Sequence, residues 1–225
     1  MKTIGIIGAM PSELADIRND LKGAVVEKYA SYDFYINEIE DKRIVNVCCG
    51  VAKVNSAIAT QILITKYNAD CIINTGIAGG MNTDVKVCDI VIADEVMHHD
   101  VTTRFLEKYP PFSGNYPADN ELIELAKKAC EKNGYNYFEG RIVSGEQFIS
   151  DNVIKGRIIE DFSPYAVDME SASIGHCCFR NNIPFATVRC ISDNADDEGE
   201  MSFDEFEKIA AKRNADVVLT MIKQM

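Results

Sequence analysis

Two rhythms of apolar and polar positions run along this chain. Short apolar runs at residues 3–8, 71–75, 89–93, 140–143, 166–168 and 186–191 predict buried strands. Between them, apolar residues recur at helical spacing over 11–21, 54–67, 121–133, 152–160, 170–182 and 203–222. Residues 32–39 and 43–49 alternate, with Glu40-Asp-Lys42 between them, and predict an antiparallel pair. Strands separated by helices of this length imply βαβ crossovers and a three-layer α/β/α sandwich with a mixed, mainly parallel central sheet. Pro11 suits the first turn of its helix, where a missing N–H does no harm. Ser202-x-x-Glu205 has the spacing of a capping box for the last helix.

In a parallel sheet, ligands bind beyond the carboxyl ends of the strands. Three apolar runs deliver unusual residues to that rim. Cys71-Ile-Ile-Asn-Thr-Gly-Ile-Ala-Gly-Gly80 reads as a strand entering a glycine-rich turn, where backbone can approach a ligand closely. Ala166-Val-Asp-Met-Glu170 and Ala186-Thr-Val-Arg-Cys-Ile-Ser-Asp193 each end on an acid. Glu13, just past the first strand, is a third acid; taken alone it reads as a complement to the helix dipole. Charges at strand ends cost free energy unless something binds them. Like charges 4 Å apart repel by roughly 4 kcal/mol at an effective dielectric of 20, so close carboxylates titrate apart. One then serves as an acid while another stays a base, the division of labour that cleavage of a glycosidic bond requires.

Composition narrows the classes. The 225 residues suit one domain spanning the chain, and a net charge of −12 argues against nucleic acid, which needs a basic surface. No run approaches the roughly 18 apolar residues of a membrane span, and the first apolar stretch is too short for a signal peptide. The eight cysteines sit mostly in apolar runs without Cys-x-x-Cys spacing, as expected of small buried side chains in a reducing cytoplasm rather than of a zinc site. Gly5 and Gly8 lack the third glycine of a dinucleotide fingerprint. His176 lies in an apolar helix and reads as core; His98 and His99 read equally as substrate contacts or as loop histidines.

Six motifs, in order, carry a resemblance: Ile6-Ile-Gly-Ala-Met-Pro-Ser-Glu13, Asn74-Thr-Gly-Ile-Ala-Gly-Gly80, Ser144-Gly-Glu-Gln-Phe-Ile149, Val167-Asp-Met-Glu170, Val188-Arg-Cys-Ile-Ser-Asp193 and Ser202-Phe-Asp-Glu-Phe206. Nearly end to end, the chain resembles the 5′-methylthioadenosine/S-adenosylhomocysteine nucleosidases of the purine nucleoside phosphorylase-like superfamily. The resemblance implies hydrolysis of an adenine–ribose bond without metal or organic cofactor, by a homodimer. It implies that Asp193 protonates adenine N7, oriented by Ser192, that Glu13 activates water, and that Glu170 holds the ribose hydroxyls. Met169 would lie against the sugar, Phe148 would stack on adenine, and the Ile149 backbone would read its edge. Ala78 and Gly79 would line the base pocket, Met10 and Phe203 the sugar and 5′ group, and Arg189 would back the acids.

Departures from the pattern are local. Asp168 stands where the family commonly has glutamate, and Ile77 where it has a small residue. The stretch after His98-His99-Asp100 differs too, which leaves the 5′ substituent open: methylthio, homocysteinyl, 5′-deoxy or another group. Two rivals stand beside hydrolysis: a phosphorylase of the same fold, and a non-catalytic nucleoside sensor. Phosphate needs arginine beside a glycine-rich loop. The loop after the first strand carries Glu13 and no arginine, and a sensor has no use for a water-activating base.

Overall fold

The computed structural model describes residues 1–196 and 199–225. Its first half runs β1 (Lys2–Gly8), α1 (Pro11–Asp20), β2 (Val25–Tyr29), β3 (Tyr32–Ile39), β4 (Lys42–Cys48), α2 (Lys53–Thr65), β5 (Cys71–Gly80), β6 (Ile90–Ile92), β7 (Glu95–His98), α3 (Thr103–Lys108) and β8 (Asn115–Pro117). The second half runs α4 (Asn120–Asn133), β9 (Tyr137–Glu139), β10 (Ile142–Ser144), α5 (Asn152–Phe162), β11 (Ala166–Asp168), α6 (Ser171–Asn181), β12 (Phe185–Asp193) and α7 (Gly199–Gln224).

The strands form one mixed sheet in the order β2-β3-β4-β1-β5-β11-β10-β7-β8, with β12 beside β5 and β6, and β9 beside β6. On one face α1, α4 and α7 bury Leu14, Ile17, Leu122, Ala126 and Val218 against Ile4, Ile73 and Val188. On the other face α2 and α6 bury Ala59, Leu63, Ala172 and Ile174 against Ile7, Ile72 and Ile191. That is the expected three-layer α/β arrangement. Side chains such as Leu14 and Ile17 each contribute roughly 1.5–3 kcal/mol on burial, which seats the first turn of α1 on the sheet.

Several sequence expectations need correction. The segment 76–80 is not a turn: β5 continues, fully buried, to Gly80. Ser202-x-x-Glu205 does not cap the last helix, because α7 already runs from Gly199. The strand expected at 140–143 is β10, which starts only at Ile142, while β2, β7, α3, β8 and β9 were not predicted. These are mostly three- to six-residue elements, too short for periodicity to register.

The behaviour of β5 positions the site. Its first half pairs with β1 as far as Ile7↔Asn74, and its last two residues pair with β11, Gly79 opposite Val167. Between these partners lies a gap over Thr75–Ala78. On its other flank β5 runs parallel to β12 up to Asp193↔Gly79.

Candidate active site

Glu13 enters that gap from the first turn of α1. Its Oε2 accepts hydrogen bonds from the Ala9 and Met10 N–H groups (2.6 and 2.9 Å), and its Oε1 accepts from the Ile77 N–H (3.0 Å). Burial raises its pKa, although Arg189 and these N–H donors oppose the rise.

Arg189, on β12, is fully buried and reaches across β5. Its Nε donates to Asp168 Oδ2 at 2.8 Å and its Nη1 to the Thr75 carbonyl at 3.1 Å. Nη1 lies 3.7 Å from Glu13 Oε1, and Nη2 lies 3.6 Å from Glu170 Oε2. Burial works against the guanidinium charge, but Asp168, Glu13 and Glu170 together more than offset it, and its pKa is raised. Gly76 makes the passage possible. A Cβ there would sit 1.9 Å from Arg189 Nη1 and 2.3 Å from Glu13 Oε1.

Glu170 stands at the N-cap of α6, and its Oε1 accepts from the Ala52 N–H (2.8 Å). Burial first, then the nearby Asp168, pushes its carboxyl up to about 7. Asp193 closes β12 with different partners: Ser192 Oγ donates to Oδ2 (2.8 Å) and the Ala195 N–H to Oδ1 (2.7 Å). Burial raises its pKa as well, and these two donors lower it less than burial lifts it.

All of these groups except Arg189 border one cavity of about 210 Å³, whose wall includes Met10, Glu13, Ala78, Gly79, Phe148, Met169, Glu170, Ser192, Asp193 and Phe203. The Phe148 and Phe203 rings meet edge to face, with centroids 5.7 Å apart. Ile149 lies in an adjoining recess bordered by Phe148, Gly79 and Asp193. Arg189 lies behind the wall. Ala9, Val51, Ile77, Val167 and Asp168 also line the cavity without having been singled out as site residues. Val51 follows the end of β4, so the strand-end rule that flagged the acids extends to it.

His98 and His99 do not line this cavity. His98 is buried at the end of β7, its Nδ1 without a hydrogen-bond partner among the described residues, and its pKa is lowered to about 4 by burial and then by Lys53 and His176. His176 is half-buried rather than core: it stacks on Tyr116, with centroids 4.6 Å apart, at the edge of a groove that it shares with His98, Lys53 and Arg180.

A family model described as the phosphorylase superfamily matches residues 3–223. A 5′-methylthioadenosine/S-adenosylhomocysteine nucleosidase of Exiguobacterium is 39% identical over 228 residues, covering 99% of this chain and 98% of the relative. The chain belongs to that nucleosidase family. The Neisseria meningitidis nucleosidase in complex with methylthio-immucillin-A superposes with a TM-score of 0.95 at 37% identity, over the whole of both chains. The futalosine hydrolase of Helicobacter pylori also superposes at 0.95, with 28% identity, over all of this chain and 98% of that one. Solved structures of this fold thus carry more than one substrate name. Among the described residues no helix is long and apolar enough to cross a membrane.

Proposed function

We propose that this protein hydrolyses the N-glycosidic bond of 5′-methylthioadenosine, S-adenosylhomocysteine or a related 5′-substituted adenosine, releasing adenine and the thioribose product. The observation that carries the reading is the meeting of Glu13, Glu170 and Asp193 on one cavity wall, with a single guanidinium behind two of them. Asp193, lifted by burial, donates a proton to adenine N7 so that the base departs neutral; Ser192 holds the carboxyl in place. Glu13 takes a proton from the attacking water. Glu170 binds the ribose hydroxyls, with Met169 against the sugar. Phe148 stacks on the base, the Ile149 backbone reads its edge, and Ala78 and Gly79 leave room for it. Met10 and Phe203 flank the sugar and its 5′ group. The sugar becomes oxocarbenium-like as adenine leaves, and carboxylates beside it stabilise that charge as it forms.

Hydrolysis is favoured over phosphorolysis by charge. Arg189, the guanidinium beside Glu13, is already surrounded by Asp168, Glu13 and Glu170, so its charge is committed and little is left to attract a phosphate dianion. The deciding experiment incubates the protein with a panel of 5′-substituted adenosines, futalosine-type nucleosides included, with and without phosphate, and follows the free base by chromatography. We expect adenine release that ignores phosphate. A strict phosphate requirement, with ribose 1-phosphate as product, overturns the hydrolase reading.

A homodimer is part of the same proposal. Val51, in the cavity wall, and Val54 and Ile58, in α2, form an apolar strip that is 44%, 68% and 45% exposed. A second copy covering the strip would also close that side of the cavity, and light scattering at micromolar concentration tests it. The eight free thiols, most of them buried, support a cytoplasmic location.

A further inference from the structure

Asp168 lines the cavity, yet its carboxylate has no capacity left for a substrate. Oδ1 accepts from Ser144 Oγ and from the N–H groups of Glu170 and Ser171 (3.2 and 3.1 Å). Oδ2 accepts from Ser171 Oγ and from Arg189 Nε. A carboxylate offers about four acceptor sites, and five donors converge on this one. Its neighbours come from β10, α6 and β12, so Asp168 ties three elements together around the arginine. The guanidinium Nε donates to Asp168 (2.8 Å) and to Ser171 Oγ (3.3 Å), itself bonded to Asp168. Nη1 and Nη2, which donate to the Thr75 carbonyl (3.1 Å) and Ser171 Oγ (3.2 Å), lie 3.7 and 3.6 Å from Glu13 and Glu170.

We infer that Asp168 is a positioning residue: it fixes the orientation of Arg189, so that one buried cation is shared between Glu13 and Glu170. For its place in catalysis this inference rests on the nucleosidase reading. The charged and titratable groups around Arg189 are Glu13 from α1 and Asp168 and Glu170 from the β11–α6 junction; Cys49, beyond β4, keeps its proton because burial pushes its thiol far up. Glu13 is the reporter, because Arg189 is the main influence lowering its pKa, and direct loss of the Asp168 charge would move it the other way. Glu170 feels both Asp168 and Arg189, with opposite signs, and would blur the result.

The test is Asp168→Asn. The amide oxygen is drawn to the two backbone N–H donors, which turns the NH₂ group towards Arg189 Nε, donor against donor. The titration of Glu13 is followed by carbon NMR on glutamate-labelled protein, beside kcat and KM across pH and a thermal melt. Loss of a well-placed opposite charge raises the Glu13 midpoint by about one pH unit, and the acid limb of kcat/KM moves up with it. At neutral pH kcat falls about tenfold while KM changes less than twofold, because the missing interaction acts on the base rather than on binding. Asp168→Glu, which keeps the carboxylate, restores the Glu13 midpoint. If Asp168→Asn does not fold, Asp168→Ser, which leaves those N–H groups an acceptor, carries the same readout. A Glu13 midpoint unchanged in a folded variant overturns the inference, even if activity or melting temperature drops. Because NMR needs no turnover, a wild-type protein that releases no adenine defeats the nucleosidase reading while the titration still decides the role of Asp168.

Discussion

The two ends of the cavity use the same chemical group in opposite surroundings. On one side, Glu13 and Glu170 are buried beside a guanidinium and held by backbone N–H donors. On the other, Asp193 is buried with a hydroxyl and one N–H donor, and its cationic influence, Lys155, is the weakest of those acting on it. The two anchor points on β5, Ile77 for Glu13 and Gly79 for Asp193, are two residues apart, about 7 Å of strand. A fixed cation favours the charged form, and burial without one favours the proton. Burial raises both carboxyls, but only Glu13 has a guanidinium opposing the rise, and the proposed roles of base and acid rest on that difference.

Removing either end breaks the comparison most severely. Asp193→Asn keeps size and hydrogen bonding but holds no transferable proton; adenine release falls about 10²–10⁴-fold, while a nucleoside analogue still binds by calorimetry. Glu13→Gln falls in the same range, through loss of the base. Wild-type-like rates in either variant would remove that residue from the mechanism. A smaller insult separates the two ends selectively. Gly76→Ala forces a Cβ into Arg189 and Glu13 but lies away from Asp193, so it disturbs one side only. It costs about 1–3 kcal/mol of stability by chemical denaturation, and the kcat that remains keeps its alkaline limb.

The sequence made the acids legible because each ends an apolar run, and strand ends gather at one rim whatever the loops do. It also made the layers legible, since α4 and α6 carry clear apolar faces. It did not reveal that 76–80 is strand. Glycines in a row read as a turn, whereas Gly76 is required because arginine and glutamate side chains occupy the place of its Cβ. That crowding is tertiary and leaves no local trace. Ser202-x-x-Glu205 misled for the converse reason: its spacing is correct, but the helix starts earlier. Asp168 was visible only as a shortened side chain, and its five hydrogen-bond partners come from three separate elements.

Stability against pH sharpens the comparison without any substrate. The Glu170 carboxyl sits near 7 in the folded chain, above its ordinary value, so between these values the folded state holds a proton that the unfolded state has released. Its contribution to stability is therefore complete at low pH and is lost as pH rises towards and through about 7. Wild-type melting temperature should decline relative to Glu170→Gln over that interval. Parallel curves for the two proteins would mean that Glu170 is ionised throughout, and that Arg189 neutralises it fully.

His98 supplies the mildest test, with the opposite sign. Its pKa of about 4 lies below the ordinary histidine range, so at mildly acid pH the unfolded chain binds a proton that the folded chain refuses. Stability owed to this residue grows as pH rises from about 4 to the ordinary histidine value, then stays level. His98→Gln should flatten that part of the melting curve without touching turnover. Because the ring borders the groove by α2 and α6 rather than the cavity, both limbs of the kcat/KM profile should stay where they are. A limb that moves in His98→Gln would show that a third titrating group is coupled to the two ends of the site, and the division between a cation-backed base and an unbacked acid would no longer be sufficient to explain the profile.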